Sequence, residues 1–251
     1  MTNSITNSNT SKPENRFSNS LGHDYDTFGQ IVHYYAQEQQ TIARTVNATI
    51  VEDMPLLEID CGSGLTTRAL FAAMLPNRNY QIISIDSEPN MVAQIRENLA
   101  DRIANGQLVV IEADAVRYMQ SQPANSLRNV VTAFALHNLT APQRRSIHQA
   151  IYRVLQPGGY FHNYDKIANN DTAAHYESYN ASLGRIMAGY TTRGDIIKAQ
   201  EWYNHFVEDN KPERIEIESV VKKELHDIGF AQVDITDRIE MDALITARKI
   251  S

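Results

Sequence analysis

The stretch LLEIDCGSGL, residues 56–65, sets Gly62 and Gly64 behind a short apolar run, with two carboxylates, Glu58 and Asp60, just ahead of them. Glycines at a strand-to-helix turn let backbone N–H groups approach a ligand without side-chain obstruction. Alone such a turn is weak evidence, but two more carboxylates stand where a nucleoside would need them. Asp86 closes the next apolar run, about twenty residues on, where a carboxylate accepts the hydroxyls of a ribose. Asp114, in IEADAV, follows the third run and is placed to address an adenine amino group. Strand-end capping is the alternative reading of both aspartates. A second set of polar groups comes later: His137 and Asn138 after a fourth run, the segment His162-Asn163-Tyr164-Asp165, and Trp202 with His205 in EWYNHF. Open α/β sheets bind ligands at the carboxyl ends of their strands, so His137 is the first candidate for a general base. A hydrogen-bonded strand-end histidine is its alternative. Trp202 and His205 are three residues apart and share a helix face, either as a pocket wall or as an anchor for their segment.

The elements that must hold these groups are readable from periodicity. Phe28, Ile31, Val32, Tyr35, Ile42, Ala43 and Val46 form one buried helical stripe. LLEID, YQIISID, QLVVIE and NVVTAFAL are short β-branched runs, apolar on both faces, with helical segments TTRALFAAML, PNMVAQIRENLA and PQRRSIHQAIYRVL between them. Such alternation predicts a parallel sheet covered on both sides. GGYFHNYD, residues 158–165, supplies a fifth strand, in which alternation puts His162 and Tyr164 on one face, Asn163 and Asp165 on the other. Residues 167–213 break the rhythm and read as a helical insertion. A helix from Ile215 to Ile228 and strands AQVDITD and ALITARK follow.

The 251 residues suit one domain, and their net charge of -7 argues against a phosphate-backbone binder. A single cysteine, Cys61, excludes a disulfide framework and mechanisms that need two thiols, and makes a cytoplasmic setting the expectation. No apolar run approaches the ~20 residues of a membrane helix, so no membrane partner is expected. The Asn/Ser/Thr-rich residues 1–20 read as a disordered tail, because they bury too little apolar surface to offset their ordering entropy.

In combination these motifs resemble the class I S-adenosylmethionine-dependent methyltransferases, in their small-molecule, ubiquinone-methyltransferase-like type. LLEIDCGSG is similar to the family's first motif, IISIDSEPNM to the second, IEADA to the third, VVTAFALHNL to the fourth, and VLQPGGYF to the turn before the fifth strand. The resemblance covers about residues 24–250. It implies an α/β fold: a doubly wound, Rossmann-like seven-stranded sheet, mostly parallel with an antiparallel last strand, plus the helical insertion. Residues 21–251 would form the domain, with 21–50 as an N-terminal helical lid and 167–213 as a cap. The implied cofactor is S-adenosyl-L-methionine. Its contacts would be Glu58, Asp60, Gly62 and Gly64 from the first motif, Asp86, Ser87 and Met91 from the second, and Asp114 and Ala115 from the third. Phe134 would lie beneath the methionine amino group and Tyr25 over the cofactor. Asp60 departs from the pattern, which has a glycine there; its carboxylate attracts the cofactor's ammonium or sulfonium charge, repels its carboxylate, or is that of a solvated turn residue.

The implied reaction is direct in-line methyl transfer to an O, N or C atom of a small acceptor in a desolvated pocket. Phe134-Ala135-Leu136-His137 lacks the Asn/Asp-Pro-Pro-aromatic signature of amide methylation. Asn163-Tyr164-Asp165-Lys166 followed by Glu201-Trp202-x-x-His205 resembles a small-molecule subgroup, which makes His137, Asn163, Trp202 and His205 the expected acceptor contacts. No metal is expected, since His175 and His205 have unremarkable ligand spacing. The partners expected are thus a small-molecule acceptor and no nucleic acid, with a homodimer left open. The alternatives are a cofactor-binding protein or enzyme that does not methylate, and an RNA or protein methyltransferase. Asp86→Ala should weaken cofactor binding by about 1.5–3 kcal/mol, the range for hydrogen bonds to a charged group. Calorimetric titration with unchanged affinity would remove Asp86 from the site.

Overall fold

Seven strands form one sheet in the order β3-β2-β1-β4-β5-β7-β6. They are β1 (Leu56–Ile59), β2 (Ile82–Asp86), β3 (Leu108–Glu112), β4 (Leu127–Ala133), β5 (Leu155–Lys166), β6 (Ala231–Ile239) and β7 (Asp242–Arg248). The computed structural model describes residue 21 and residues 25–50, 54–75, 78 and 80–250, excepting the side chains of Tyr25 and Asp26. Strands β1 to β5 pair in parallel, and β7 is antiparallel to both β5 and β6. The order turns back between β1 and β4, the switch point at which doubly wound sheets bind ligands. This is the expected Rossmann-like architecture. The expected tail, residues 1–20, lies outside the described residues.

Two helical layers cover the sheet because its central strands are apolar on both faces. On one face α6 (Ala115–Ser121), α7 (Ala141–Val154) and α10 (Glu218–Ile228) bury Met119, Ile151, Val154 and Leu225 against Leu57, Val130 and Phe161. On the other, α2 (Tyr35–Thr49), α3 (Leu65–Ala73) and α4 (Pro89–Asn98) bury Ile42, Val46, Leu70 and Ile95 against Leu56, Ile82 and Val131. Each such side chain contributes about 1.5–3 kcal/mol on leaving water. The short α5 (Ala100–Ala104) completes the β2–β3 crossover. Helix α6 has no counterpart in the sequence reading. It is short, and its start is fixed by a cap, Asp114 accepting from the Arg117 N–H at 2.8 Å.

The expected insertion is two helices, α8 (Thr172–Thr192) and α9 (Ile196–Asp209), started by the caps Asp171 and Asp195. Its ends are clipped together: the Ala168 N–H donates to the Glu216 carbonyl at 2.7 Å, and the Glu218 N–H returns to the Ala168 carbonyl at 3.0 Å. The N-terminal segment divides its loyalties. The later turns of α2 belong to the sheet's covering layer, whereas α1 (Tyr25–Ile31) and the start of α2 join the insertion. There Phe28, Tyr34 and Tyr35 pack with Ile186, Tyr190, Trp202 and Phe206 in a third apolar cluster. The Phe28 and Trp202 rings stack at 4.2 Å.

Gly62 and Gly64, alike in the sequence, do different jobs. Both have positive φ, 53° and 90°. A side chain on Gly62 would meet open space, but a Cβ on Gly64 would lie 2.7 Å from Ile95 Cγ1 and 3.2 Å from Leu99 Cδ1. Gly64 therefore permits close packing of the turn on α4. Both substitutions by alanine carry the cost of positive φ, but Gly64→Ala should destabilise by about 1–3 kcal/mol more than Gly62→Ala, the range for overpacking a core. Denaturant unfolding of the two variants measures the difference.

Candidate active site

The glycine turn is held from below by Asp86. Its Oδ2 accepts from the Gly62 N–H and its Oδ1 from the Glu88 N–H, each at 2.8 Å. One carboxylate at the end of β2 thus fixes both the turn after β1 and the turn into α4. Glu58, expected at the cofactor, is instead buried beneath the turn, where Oε2 accepts from Thr67 and Ser84 at 2.6 Å each. Burial pushes its pKa up to about 7 despite those hydrogen bonds. Its place is a post between β1, β2 and α3, which corrects the expected cofactor contact. Cys61 is buried in the apolar layer, and burial raises its thiol pKa well above the usual range.

Asp60 takes the backbone shape of the glycine it replaces, at φ 53°. Aspartate tolerates this region better than most residues. Burial, then the carboxylates of Asp86, Asp114 and Asp165, push its pKa up to about 7. Asp60, Asp86 and Asp114 thus stand together at the carboxyl ends of β1, β2 and β3, an arrangement that favours a bound cation. Asp114 is exposed at the start of α6, Ser87 is exposed at the start of the α4 turn, and Met91 and Ala115 are buried nearby in sequence. Tyr25 opens α1; its side chain lies outside the described residues.

Strand β4 ends abruptly. Phe134 has φ 54°, its N–H donates to the Tyr164 carbonyl at 2.8 Å, and its ring lies 4.7 Å from that of Tyr35. The chain then makes one 3-10 turn, Leu136–Asn138, which brings His137 under β5. Asp165 receives it. Its Oδ2 accepts from the Leu136 and His137 N–H groups at 2.8 and 3.3 Å, and its Oδ1 lies 2.5 Å from His137 Nδ1. Burial would raise the pKa of this carboxyl, but His137 and Lys166 more than offset that and hold it below the usual range. In the neutral tautomer with its proton on Nδ1, the Nε2 of a histidine so held carries a lone pair.

That nitrogen points toward α9. Nε2 of His137 lies 3.7 Å, and Nε2 of His205 3.5 Å, from Oδ2 of Asp209, on which Lys166 Nζ also sits at 2.6 Å. Two cavities meet here. The upper is walled by Phe28, Tyr35, Phe134, Trp202 and Phe206 with His137 and His205; the lower has His137, Lys166, His175 and Asp209 in its wall. His137, Trp202 and His205 are thus brought together in one wall, and Trp202 and His205 share a helix face as their spacing predicts. Asn163 is not. It is fully buried within β5, its amide has no hydrogen-bond partner among the described residues, and it lines neither cavity. His162 is structural, with Nε2 3.1 Å from Thr49 Oγ1. The sequence reading missed Asp209, although His205 and Asp209 are four apart on one helix, and it missed Asp242, buried in the upper cavity's wall.

A family model described as a methyltransferase domain matches residues 56–159. The carboxy-S-adenosyl-L-methionine synthase of Chromohalobacter salexigens is 31% identical over 102 residues, 41% of this chain and 36% of that protein. The protein of the same name from Shewanella sediminis is 27% identical over 134 residues, 53% of each. The chain spans about half the length, or less, of these curated relatives. Among solved structures, a Methanococcus maripaludis protein assigned to the S-adenosyl-L-methionine-dependent methyltransferases superposes with a TM-score of 0.62 at 16% identity, covering 96% of this chain and 97% of that one. A phosphoethanolamine N-methyltransferase of Haemonchus contortus gives 0.58 at 12% identity, covering 85% and 52%. These structures share the fold. Among the described residues, no helix is long and apolar enough to cross a membrane. Residues 56–159 thus match the methyltransferase-domain family model, and the seven strands have the Rossmann-like fold of these solved structures.

Proposed function

We propose that the protein transfers the methyl group of S-adenosyl-L-methionine to a small molecule held in the upper cavity. The observation that carries this reading is the position of that cavity. It lies at the carboxyl end of β4, lined by Phe134 and the aromatic wall of α1 and α9, and β4 pairs with β1, whose carboxyl end leads into the acidic glycine turn. The residues present fit the cofactor: open space at Gly62, a fixed carboxylate at the end of β2, and an accumulation of acids that suits a sulfonium and an ammonium. When bound, the cofactor supplies an electrophilic methyl carbon. The chain's own task is then to align a nucleophile and exclude water. Trp202, Phe28, Tyr35 and Phe134 supply the dry wall, while His137 presents Nε2 to the acceptor with its orientation fixed by Asp165. A lone pair at that place takes either a proton or a cation.

The acidic charge and the enclosed cavity favour a small acceptor over a polynucleotide, and one buried free cysteine suits a cytoplasmic setting. A second reading is favoured by the names of the curated relatives, which describe synthesis of a carboxylated form of the cofactor itself. Incubation with methyl-labelled cofactor and a metabolite extract separates the two. Methyl transfer yields S-adenosylhomocysteine and a labelled small molecule; a heavier sulfonium nucleoside, without S-adenosylhomocysteine, would overturn the first reading.

Two variants test the residues. Asp60→Gly suits φ 53° and removes only the carboxylate. It should weaken S-adenosylmethionine more than uncharged-sulfur S-adenosylhomocysteine in calorimetry, by about 1 kcal/mol, as expected for a charge contact. Equal loss for both ligands would leave Asp60 without a role toward the sulfonium. His137→Gln should lower kcat by about 100-fold, the lower range for losing a group that takes part in proton transfer. Cofactor affinity should stay unchanged; an unaltered kcat would remove His137 from the reaction.

A further inference from the structure

The convergence of two imidazoles and a carboxylate at the wall between the cavities has a use that a hydrogen-bond network alone does not require. His137, His205 and Asp209 are all buried, and one ligand atom from each lies within 4.8 Å of the other two. An ion about 2.1 Å from each of three ligands in tetrahedral geometry sets the ligand atoms about 3.4 Å apart. The two Nε2-to-Oδ2 distances are 3.7 and 3.5 Å. The two imidazole rings stand nearly perpendicular, 88°, with their centres 6.3 Å apart. Only small movements would bring the trio to coordinating distance.

A second observation is independent of these distances. A metal-bound histidine commonly donates its other ring N–H to a carboxylate, which fixes the tautomer and raises the basicity of the ligating nitrogen. His137 has that carboxylate: Asp165 lies 2.5 Å from Nδ1 and is itself held by the Leu136 and Lys166 N–H groups. Charge points the same way. Three buried carboxylates, Asp165, Asp209 and Asp242, cluster here, offset by the ammonium of Lys166 and, at Asp242, by the guanidinium of Arg238. A divalent ion would neutralise the excess.

We propose that His137, His205 and Asp209 form a site for a divalent first-row transition metal, with its open coordination positions facing the upper cavity. Two neutral imidazoles and one carboxylate suit zinc, cobalt, iron or manganese in preference to magnesium or calcium. Lys166 is the built-in competitor. Its ammonium sits on the Asp209 oxygen that the ion would take and also lies 3.9 Å from the centre of the Phe206 ring, which offers it a cation–π position when displaced. Resting on the methyl-transfer reading, the ion would anchor an acceptor through an oxygen of that molecule. The metal site itself stands without that reading.

The test uses the full chain, free of any histidine tag and stripped by chelator, without cofactor or acceptor. Titration with Co²⁺ should give visible absorption bands of a nitrogen–oxygen site at about one ion per chain, and Zn²⁺ should displace it. His205→Ala and Asp209→Asn should each weaken Co²⁺ binding by at least about tenfold. Lys166→Met should strengthen it, a gain that misfolding cannot produce. His175→Ala should leave it unchanged, because His175 bonds Asn210 and is not among the three ligands. Absence of Co²⁺ and Zn²⁺ binding, or unchanged affinity in both ligand variants, would overturn the proposal. Neither result would alter the expected formation of S-adenosylhomocysteine, so failure of the metal site and failure of the methyl-transfer reading are separable.

Discussion

One buried carboxylate governs the junction of sheet and site. Asp165, near the end of β5, accepts from the backbone of Leu136, His137 and Lys166 and from the imidazole of His137. A buried charge is tolerated only when its lone pairs are occupied, and here the donors come from two neighbouring strand ends. The demand for satisfaction therefore folds the chain after β4 into a 3-10 turn and aims a side chain. Removal of the carboxylate would leave three backbone N–H groups without their acceptor as well as an imidazole without its guide. Support of the strand ends and orientation of His137 are the same interaction.

The insertion is constrained from the opposite side. Its helices present an aromatic face because Phe28, Tyr34 and Tyr35 offer one from the N-terminus, and the contact between Phe28 and Trp202 joins the two. The result is a cavity whose floor comes from the sheet and whose walls come from segments outside it. Polar groups enter this apolar enclosure at few points, chiefly His137, Lys166, His205 and Asp242. Such a division, with shape from aromatics and orientation from a few polar groups, is the usual construction of small-ligand sites.

Much of the scaffold was legible because its signals are local. Strands β1 to β4 are continuous apolar runs, and Gly62, Asp86 and Asp114 sit at their ends whatever the rest of the chain does. The doubly wound order and antiparallel β7 followed from the resemblance together with the alternation of elements. Short α6 was not legible, since seven residues give too little periodicity. Nor was the difference between Gly62 and Gly64, which lies in the position of Ile95 on another helix. Glu58 and Asn163 misled because a polar residue in a functional-looking motif can serve the interior. Asp209 became meaningful only when α9 placed it beside a histidine 72 positions earlier in the chain.

The clip between Ala168 and residues 216–218 has a consequence for how such a chain can change. Because the excursion leaves and returns at neighbouring points, its closure entropy is set locally and grows only slowly with the number of residues between. Helices α8 and α9 could be lengthened, shortened or exchanged while the strands keep their pairing. Selectivity in this architecture is thereby uncoupled from the folding of the domain that carries it, and new specificities can arise by remodelling one loop-closed module.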